Sequence, residues 1–344
     1  MSTDPIRIGL IGAGKNTRER HIPGFQAIEG VELYSVCNRS EESSRAIAEA
    51  YGIPVVAMNW REVIADQDVD AICIGTWPYM HAEMSMAALE AGKHVLCEAR
   101  MAMNLEEARK MIACAGRHKE LVAQLVPSPF TLDFDSTLRH WLDEKRLGKL
   151  YEIRVTHTMG ALADSDAELT WRQHFEYSGI NFLTMGIFHE AVQRWFDNDP
   201  EWIQADGAIF TDYRLDPETG RPHHVRIPES VSISGRYGNG ARLVYHFSGV
   251  ESGKPVMEFR INGEKGALRL DLVEGALLFA EAGSSTESVI SIPDETQRGW
   301  QVESDFVASI RQGLPVMLTS FSDGLRYMEF TQRVFESLQS GEKR

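Results

Sequence analysis

Over residues 1–126 short apolar runs alternate with amphipathic stretches. Strand-like runs fall at Ile6–Ile11, Val31–Cys37, Val55–Ala57, Ala71–Ile74, His94–Cys97 and Leu121–Leu125. Between the fourth and fifth runs, Met80, Met84, Ala87, Ala88 and Ala91 recur at helical spacing and predict one apolar helix face. Asn104 followed by Glu107 reads as a capping box opening the next helix. Strand–helix alternation of this kind predicts a doubly wound parallel sheet with right-handed crossovers.

After Pro127 the rhythm changes. A helix is predicted over Leu132–Glu144, a strand over Leu150–Thr156 and a helix over Phe182–Phe196. From about residue 201 to 292 strands follow one another. Asn239-Gly240 joins SVSISGRY to ARLVYHF, and Asn262-Gly263 ends VMEFRI. That pattern predicts a second α/β domain on an open, mostly antiparallel sheet, with the 182–196 helix on one face. Helices at about 298–311 and 321–339 close the chain. The division is 1–126 and 127–344, with the last helices able to pack back on the first domain.

Length and charge narrow the function. The chain has 344 residues, enough for two cores. Its formal net charge of −15 argues against nucleic acid or an anionic membrane as partner. No apolar run approaches the roughly 20 residues that span a bilayer. MSTDPIRIGLIG runs directly into a strand rather than forming a leader, so a cytoplasmic protein is expected. Cys37, Cys73 and Cys97 lie inside apolar runs, and with Cys114 they read as reduced core thiols. No cysteine or histidine spacing suggests a structural zinc, so no metal is expected.

Gly12-Ala13-Gly14-Lys15-Asn16-Thr17 follows the first strand. The first glycine permits a tight turn, and the second lets a pyrophosphate approach the backbone at a helix N-terminus. Thr17 stands where a third glycine is usual. The second strand ends Cys37-Asn38-Arg39-Ser40, with no acid to receive ribose hydroxyls. Arg39 can pair with a 2′-phosphate, so NADP(H) is favoured over NAD(H), with Asn38 and Ser40 beside it.

These motifs, in this order, resemble the glucose-fructose oxidoreductase/inositol dehydrogenase (Gfo/Idh/MocA) family. The residues that carry the resemblance are GLIGAGKNTRERHIPGF at 9–25, GTWPYMHAEMSMAALEAGKHVLCEARMAMNLEEA at 75–108, LGKLYEIRV at 147–155, TWRQHFEYSGINFLTMGIFHEAVQRWF at 170–196 and SDGLRYMEF at 322–330. The resemblance implies a Rossmann domain and an α/β domain whose open sheet often builds a homodimer or homotetramer. It implies oxidation or reduction of a carbinol on a sugar, cyclitol or related polyol, with substrate between the domains. Carried over residue by residue, Gly12, Gly14, Lys15, Asn16 and Thr17 match the pyrophosphate turn. Thr76 and His81 match the loop after the fourth strand, and Glu98 matches the acid of the family's Glu-Lys-Pro motif. Trp171-Arg172 matches a pair near cofactor or substrate, so Arg172 is a candidate anion or hydroxyl clamp.

The chemistry departs from that pattern. Ala99 stands at the family's lysine and Arg100 at its proline, leaving Arg100 to stabilise an oxyanion but not to exchange a proton readily. The family's aspartate and histidine, four apart on a helix, are Thr184 and Phe188 here. His189 lies one residue on, about 100° around the helix, and replaces that histidine only if the helix is shifted or bulged. His189 is the first candidate for the proton relay; His157 and His174 are further candidates. Trp77, Tyr79, Phe130 and Tyr177 are candidates for an aromatic floor. The leading expectation is an NAD(P)-dependent oxidoreductase with a non-standard relay. A nicotinamide-dependent sugar hydrolase or lyase without net redox change, and a cofactor-binding protein without turnover, remain open.

Overall fold

The computed structural model describes residues 5–344. These divide into two units: the residues up to Pro127 with Gln301–Met328, and Ser128–Trp300 with Glu329–Arg344.

In the first unit, β1 (Ile6–Ile11), β2 (Val31–Cys37), β3 (Val55–Val56), β4 (Ala71–Ile74), β5 (His94–Cys97) and β6 (Ala123–Leu125) form a parallel sheet in the order β3-β2-β1-β4-β5-β6. All four β4 residues are buried, as expected of a parallel strand covered on both faces. The helices between the strands are α1 (Ile22–Gln26), α2 (Glu41–Tyr51), α3 (Trp60–Ala65), α4 (Pro78–Glu90) and α5 (Leu105–Ala115). Ser40 caps α2 and Asn104 caps α5. Glu107 reaches back to the Met103 N–H at 3.0 Å, one residue beyond the partner a standard capping box would use. In α4 the buried side chains include His81, Met84, Ser85 and Ala88, whereas Ala91 is exposed beyond the helix end. The helix contacts both β5 and α5, so its buried stripe is wider than the apolar residues alone indicated. All four cysteines are buried thiols.

The second unit begins with α6 (Asp135–Asp143) and β7 (Leu150–Thr158), followed by α7 (Phe175–Ser178) and α8 (Met185–Trp195). Then come β8 (Pro200–Ala208), β9 (Tyr213–Asp216), β10 (Arg221–His224), β11 (Ser230–Tyr237), β12 (Arg242–Ser248), β13 (Val256–Gly263), β14 (Gly266–Asp271), β15 (Ala276–Glu281) and β16 (Ser288–Val289). The large sheet runs β16-β15-β14-β13-β7-β12-β11-β8, while β9 and β10 form a separate hairpin. Only the β7–β12 pair of the large sheet is parallel. β11 alternates buried and exposed along its length. Phe188 of α8 lies against Phe247 and Phe259 of the sheet, which fixes α8 on that face. α8 starts three residues later than its apolar pattern suggests. Leu183 has φ +46°, a left-handed turn that a helix cannot include.

The chain closes with α9 (Val302–Gln312) and α10 (Phe321–Ser340). At Gly324 in α10 a Cβ would lie 2.3 Å from Leu125 Cδ1, so glycine permits that helix to approach the first sheet.

Candidate active site

The glycine turn after β1 is shaped by two constraints. Gly12 has φ +85°, and a Cβ there would lie 2.9 Å from Gly75 C and Thr76 N. At Gly14 nothing is nearer than Gly75 O at 3.7 Å, so the backbone is open to a close-approaching anion. Thr17 is not part of that open surface. It is buried and donates its hydroxyl to Gly12 O at 3.1 Å, bracing the turn from within. The chain then makes a π-helical turn, Thr17–His21, before α1. Lys15 is exposed, 3.9 Å from Glu19.

The end of β2 is built differently from the expectation. Asn38 Oδ1 accepts from the Ala13 N–H at 2.6 Å, and its Nδ2 donates to Ser43 O at 3.1 Å. The amide therefore fastens β2 to the glycine turn, an internal role for a residue expected at the cofactor site beside Arg39. Ser40 is likewise engaged in the α2 cap, accepting from Ser43 N at 3.2 Å. Arg39 beside them is exposed.

His81 is also an internal brace. It is buried, with Nε2 3.0 Å from Thr76 O and Nδ1 2.7 Å from Arg100 O. Two carbonyls would welcome two N–H groups, but burial outweighs them and holds the pKa below the usual histidine range. His81 thus ties the loop after β4 to the segment after β5, rather than reaching for cofactor. Arg100 is 3% exposed.

Glu98 belongs to a charged network that the sequence did not disclose. Asn16 Nδ2 donates to Glu98 Oε1, which also lies 3.0 Å from His21 Nε2. His21 Nδ1 lies 2.5 Å from Glu303 Oε1 on α9. Burial of His21, 0% exposed, would lower its pKa. Hydrogen bonds to Glu303 and then Glu98 reverse that and push it up to about 9. Burial would raise the Glu98 pKa, but the His21 hydrogen bond prevails and holds it low. A buried imidazolium between two carboxylates therefore fixes Glu98 and, through it, Asn16 at the glycine turn. Gly24 is part of this arrangement, since a Cβ there would meet Glu303 Oε2 at 2.5 Å. His21 stood in the sequence within TRERHIPGF, but its acidic partner lies 282 residues away.

A cavity of about 240 Å³ lies within the second unit, lined by His157, Thr170, Arg172, Gln173, Thr184 and Ser248 among others. His157 comes from the end of β7 and is 7% exposed. Its Nδ1 lies 2.6 Å from Thr184 Oγ1, and its ring stacks on Phe188 with centroids 5.1 Å apart. The Nε2 is buried and has no hydrogen-bond partner among the described residues. Burial lowers the His157 pKa, so the ring is neutral at neutral pH. Gln173, 3% exposed, accepts from Thr170 N at 3.2 Å, while its Nε2 lacks a partner among the described residues. Arg172 is exposed and stacks over Trp171 at 4.3 Å.

His189 does not join this cavity. Because α8 is a regular helix, the one-residue offset turns His189 away from the side on which Phe188 meets His157. His189 is 1% exposed, stacked on Phe330 at 3.6 Å, with Nδ1 3.2 Å from Tyr245 Oη. That corrects its assignment as first candidate: it is a packed core histidine. The four candidates for an aromatic floor are divided between the two units. Phe130 packs on Phe188, Tyr177 stacks on His174, and Trp77 and Tyr79 lie in the first unit.

A six-stranded parallel sheet with an open glycine turn, and a second unit whose cavity displays a buried imidazole, define a nucleotide-fold protein with an appended α/β domain. Residues 6–125 match the model of the oxidoreductase family with an NAD-binding Rossmann fold, and residues 136–269 match that of the GFO/IDH/MocA C-terminal domain. The chain belongs to the Gfo/Idh/MocA family. It is 25% identical to an inositol 2-dehydrogenase of Klebsiella pneumoniae, over 90% of this chain and 87% of that enzyme. It is 40% identical to a 4-carboxy-2-hydroxymuconate-6-semialdehyde dehydrogenase of Sphingobium, but only over 26% of this chain and 28% of that one. A levoglucosan dehydrogenase in complex with NADH and L-sorbose has the same fold, with TM-score 0.86 at 20% identity over 98% of both chains. Among the described residues no helix is long and apolar enough to cross a membrane.

Proposed function

We propose that this protein is a nicotinamide-dependent oxidoreductase acting on a carbinol of a sugar, cyclitol or related polyol, with His157 as the acid–base group. One observation carries the assignment. Thr184 and Phe188, at the positions matching the family's aspartate and histidine, both contact His157, one by hydrogen bond and one by stacking. The imidazole that position 188 lacks is supplied from β7 instead.

The relay follows from this geometry. With Nδ1–H donating to Thr184, the Nε2 lone pair is left to accept the carbinol proton as the alcohol is oxidised. Nicotinamide, when bound, supplies the acceptor for the hydride leaving the same carbon. Thr184 is neutral and does not raise the His157 pKa as a carboxylate would, so the ring stays in its base form. Gln173 offers an Nε2 donor for a substrate hydroxyl, and Arg172 a cation for a hydroxyl or carboxylate. Gly12, Gly14, Lys15 and Asn16 hold the cofactor, with Glu98 positioning Asn16. Arg39 favours NADP(H) over NAD(H), since no acid stands at the end of β2.

A panel of sugars, cyclitols and uronates with NADP⁺ and NAD⁺ tests the reading, followed by reduced-nicotinamide absorbance and product analysis. Net reduction of the nucleotide that is lost in His157→Gln supports it. Product without net reduction assigns the site to a hydrolase or lyase. Cofactor binding with neither assigns it to a protein without turnover.

A further inference from the structure

The loop from 159 to 174, which carries Arg172 and Gln173, ends at a cluster of a different kind. His174, the N-cap of α7, stands beside Asp216 of β9 and His223 of β10, with one potential ligand atom from each within 4.8 Å of the others. The hairpin register makes part of this inevitable. Asp216 pairs with Arg221 and His223 with Arg214, so the period of two puts Asp216 and His223 on one hairpin face as diagonal neighbours. The imidazoles of His174 and His223 lie with centroids 4.2 Å apart. A fourth group is at hand: Glu176 Oε2 is 2.9 Å from His174 Nδ1 and 3.7 Å from His223 Nε2.

We propose that His174, Asp216 and His223 bind a divalent transition ion such as Zn²⁺, with Glu176 as the fourth ligand, clipping the cavity-lining loop to the β9–β10 hairpin. Two imidazoles and two carboxylates are a donor set that suits Zn²⁺ better than Ca²⁺ or Mg²⁺. With bonds of about 2.0–2.1 Å, tetrahedral geometry separates the donors by roughly 3.4 Å. The ligands sit on one loop end and one two-stranded hairpin, so side-chain rotation can close the remaining gap without moving the large sheet. Asp216 is already oriented, its Oδ1 accepting from Glu218 N and its Oδ2 from the Thr219 hydroxyl, both at 2.9 Å. The spacing of 174, 216 and 223 explains why no sequence motif announced the cluster. This site stands apart from the His157 reading and survives if that reading fails.

The test strips the whole chain with a chelator and titrates it with Zn²⁺ by calorimetry and with Co²⁺ by visible absorbance. One ion per chain and the bands of tetrahedral Co²⁺ are expected. His174→Asn and His223→Asn should each weaken binding by roughly 100-fold, at the upper end of what loss of even an outer partner costs a metal site. His118→Asn, a histidine of the first unit 3.8 Å from Glu120, should leave affinity unchanged. Limited proteolysis should cut the 159–178 segment more slowly with Zn²⁺ bound. The proposal is overturned if the wild-type chain binds well below one ion, or if the His223 variant binds as tightly as wild type. Either result would make the cluster an ion-pair network only.

Discussion

Thr184→Asp places a carboxylate where the hydroxyl now meets His157 Nδ1 at 2.6 Å. At about 4 Å between charge centres and an effective permittivity near 20, the attraction to imidazolium is about 4 kcal/mol. That would raise the His157 pKa by roughly three pH units as a ceiling. Thr184 is only half-buried, so solvent screening reduces the gain. The new carboxylate also adds a bond of reach and must itself be desolvated. A rise of about one to two pH units is the expected result. In the oxidative direction His157 must be neutral, so the acid limb of kcat/KM moves to higher pH by that amount. In the reductive direction the imidazolium donates, and activity extends to higher pH by the same shift. Thr184→Asn has nearly the same shape and no charge, and should leave the limb in place. The assay is a pH profile of both directions for wild type and the two variants. An acid limb that does not move in the aspartate variant refutes His157 as the titrating group.

Three other outcomes follow from the structure. His21 carries a pKa raised from 6.5 to about 9, so its stabilisation is full below pH 6.5 and is lost as pH rises through 9, a change of roughly 3 kcal/mol. Denaturant unfolding at these two pH values checks it, and His21→Gln should flatten the difference while destabilising by about 3–5 kcal/mol through the unpaired Glu98 and Glu303. Arg39→Ala should weaken NADP⁺ more than NAD⁺ in a nucleotide titration, and equal weakening would remove the preference. His189→Gln should lower the unfolding midpoint yet leave the pH profile of turnover unchanged.

The first sheet was readable because each strand of a parallel sheet must be apolar on both faces, and because Gly12 and Asn104 mark turns and caps by local stereochemistry. The second sheet was readable at one of its two Asn-Gly pairs: Gly240 has φ +87°, as a turn there required, whereas Asn262 and Gly263 remain paired in β13 and the turn falls at Glu264-Lys265. What escaped was long-range. Asn38 looks like a cofactor contact beside Arg39 until the chain brings Ala13 N–H to its Oδ1. Thr17 looks like a phosphate contact until its hydroxyl is seen to turn inward to Gly12 O. His21 shows no acidic partner in its own segment of sequence because Glu303 arrives from α9.

The family's aspartate and histidine were legible as absences, whereas the proposed replacement, His157, was legible only as one of two further candidates behind His189. Position 184 and position 188 lie one helical turn apart, so both face the same neighbour on the sheet. That neighbour is His157, two elements earlier and on another kind of secondary structure. A histidine at position 188 would set a smaller, polar ring against Phe247 and Phe259 and take away the phenyl face on which His157 stacks. An aspartate at position 184 would raise the pKa of a ring that is kept neutral by burial. Phenylalanine supplies a stacking face and threonine an uncharged hydrogen bond, so the two departures fit a single relocated imidazole. Under the proposed relay, Thr184 and Phe188 mark a change in where the base is mounted rather than its loss. Phe188→His alone should therefore not improve turnover. The new ring is smaller than the phenyl it replaces, buries a polar group beside Phe247 and Phe259, and leaves His157 with a poorer stacking face. A gain of activity in Phe188→His with His157 intact would contradict this account.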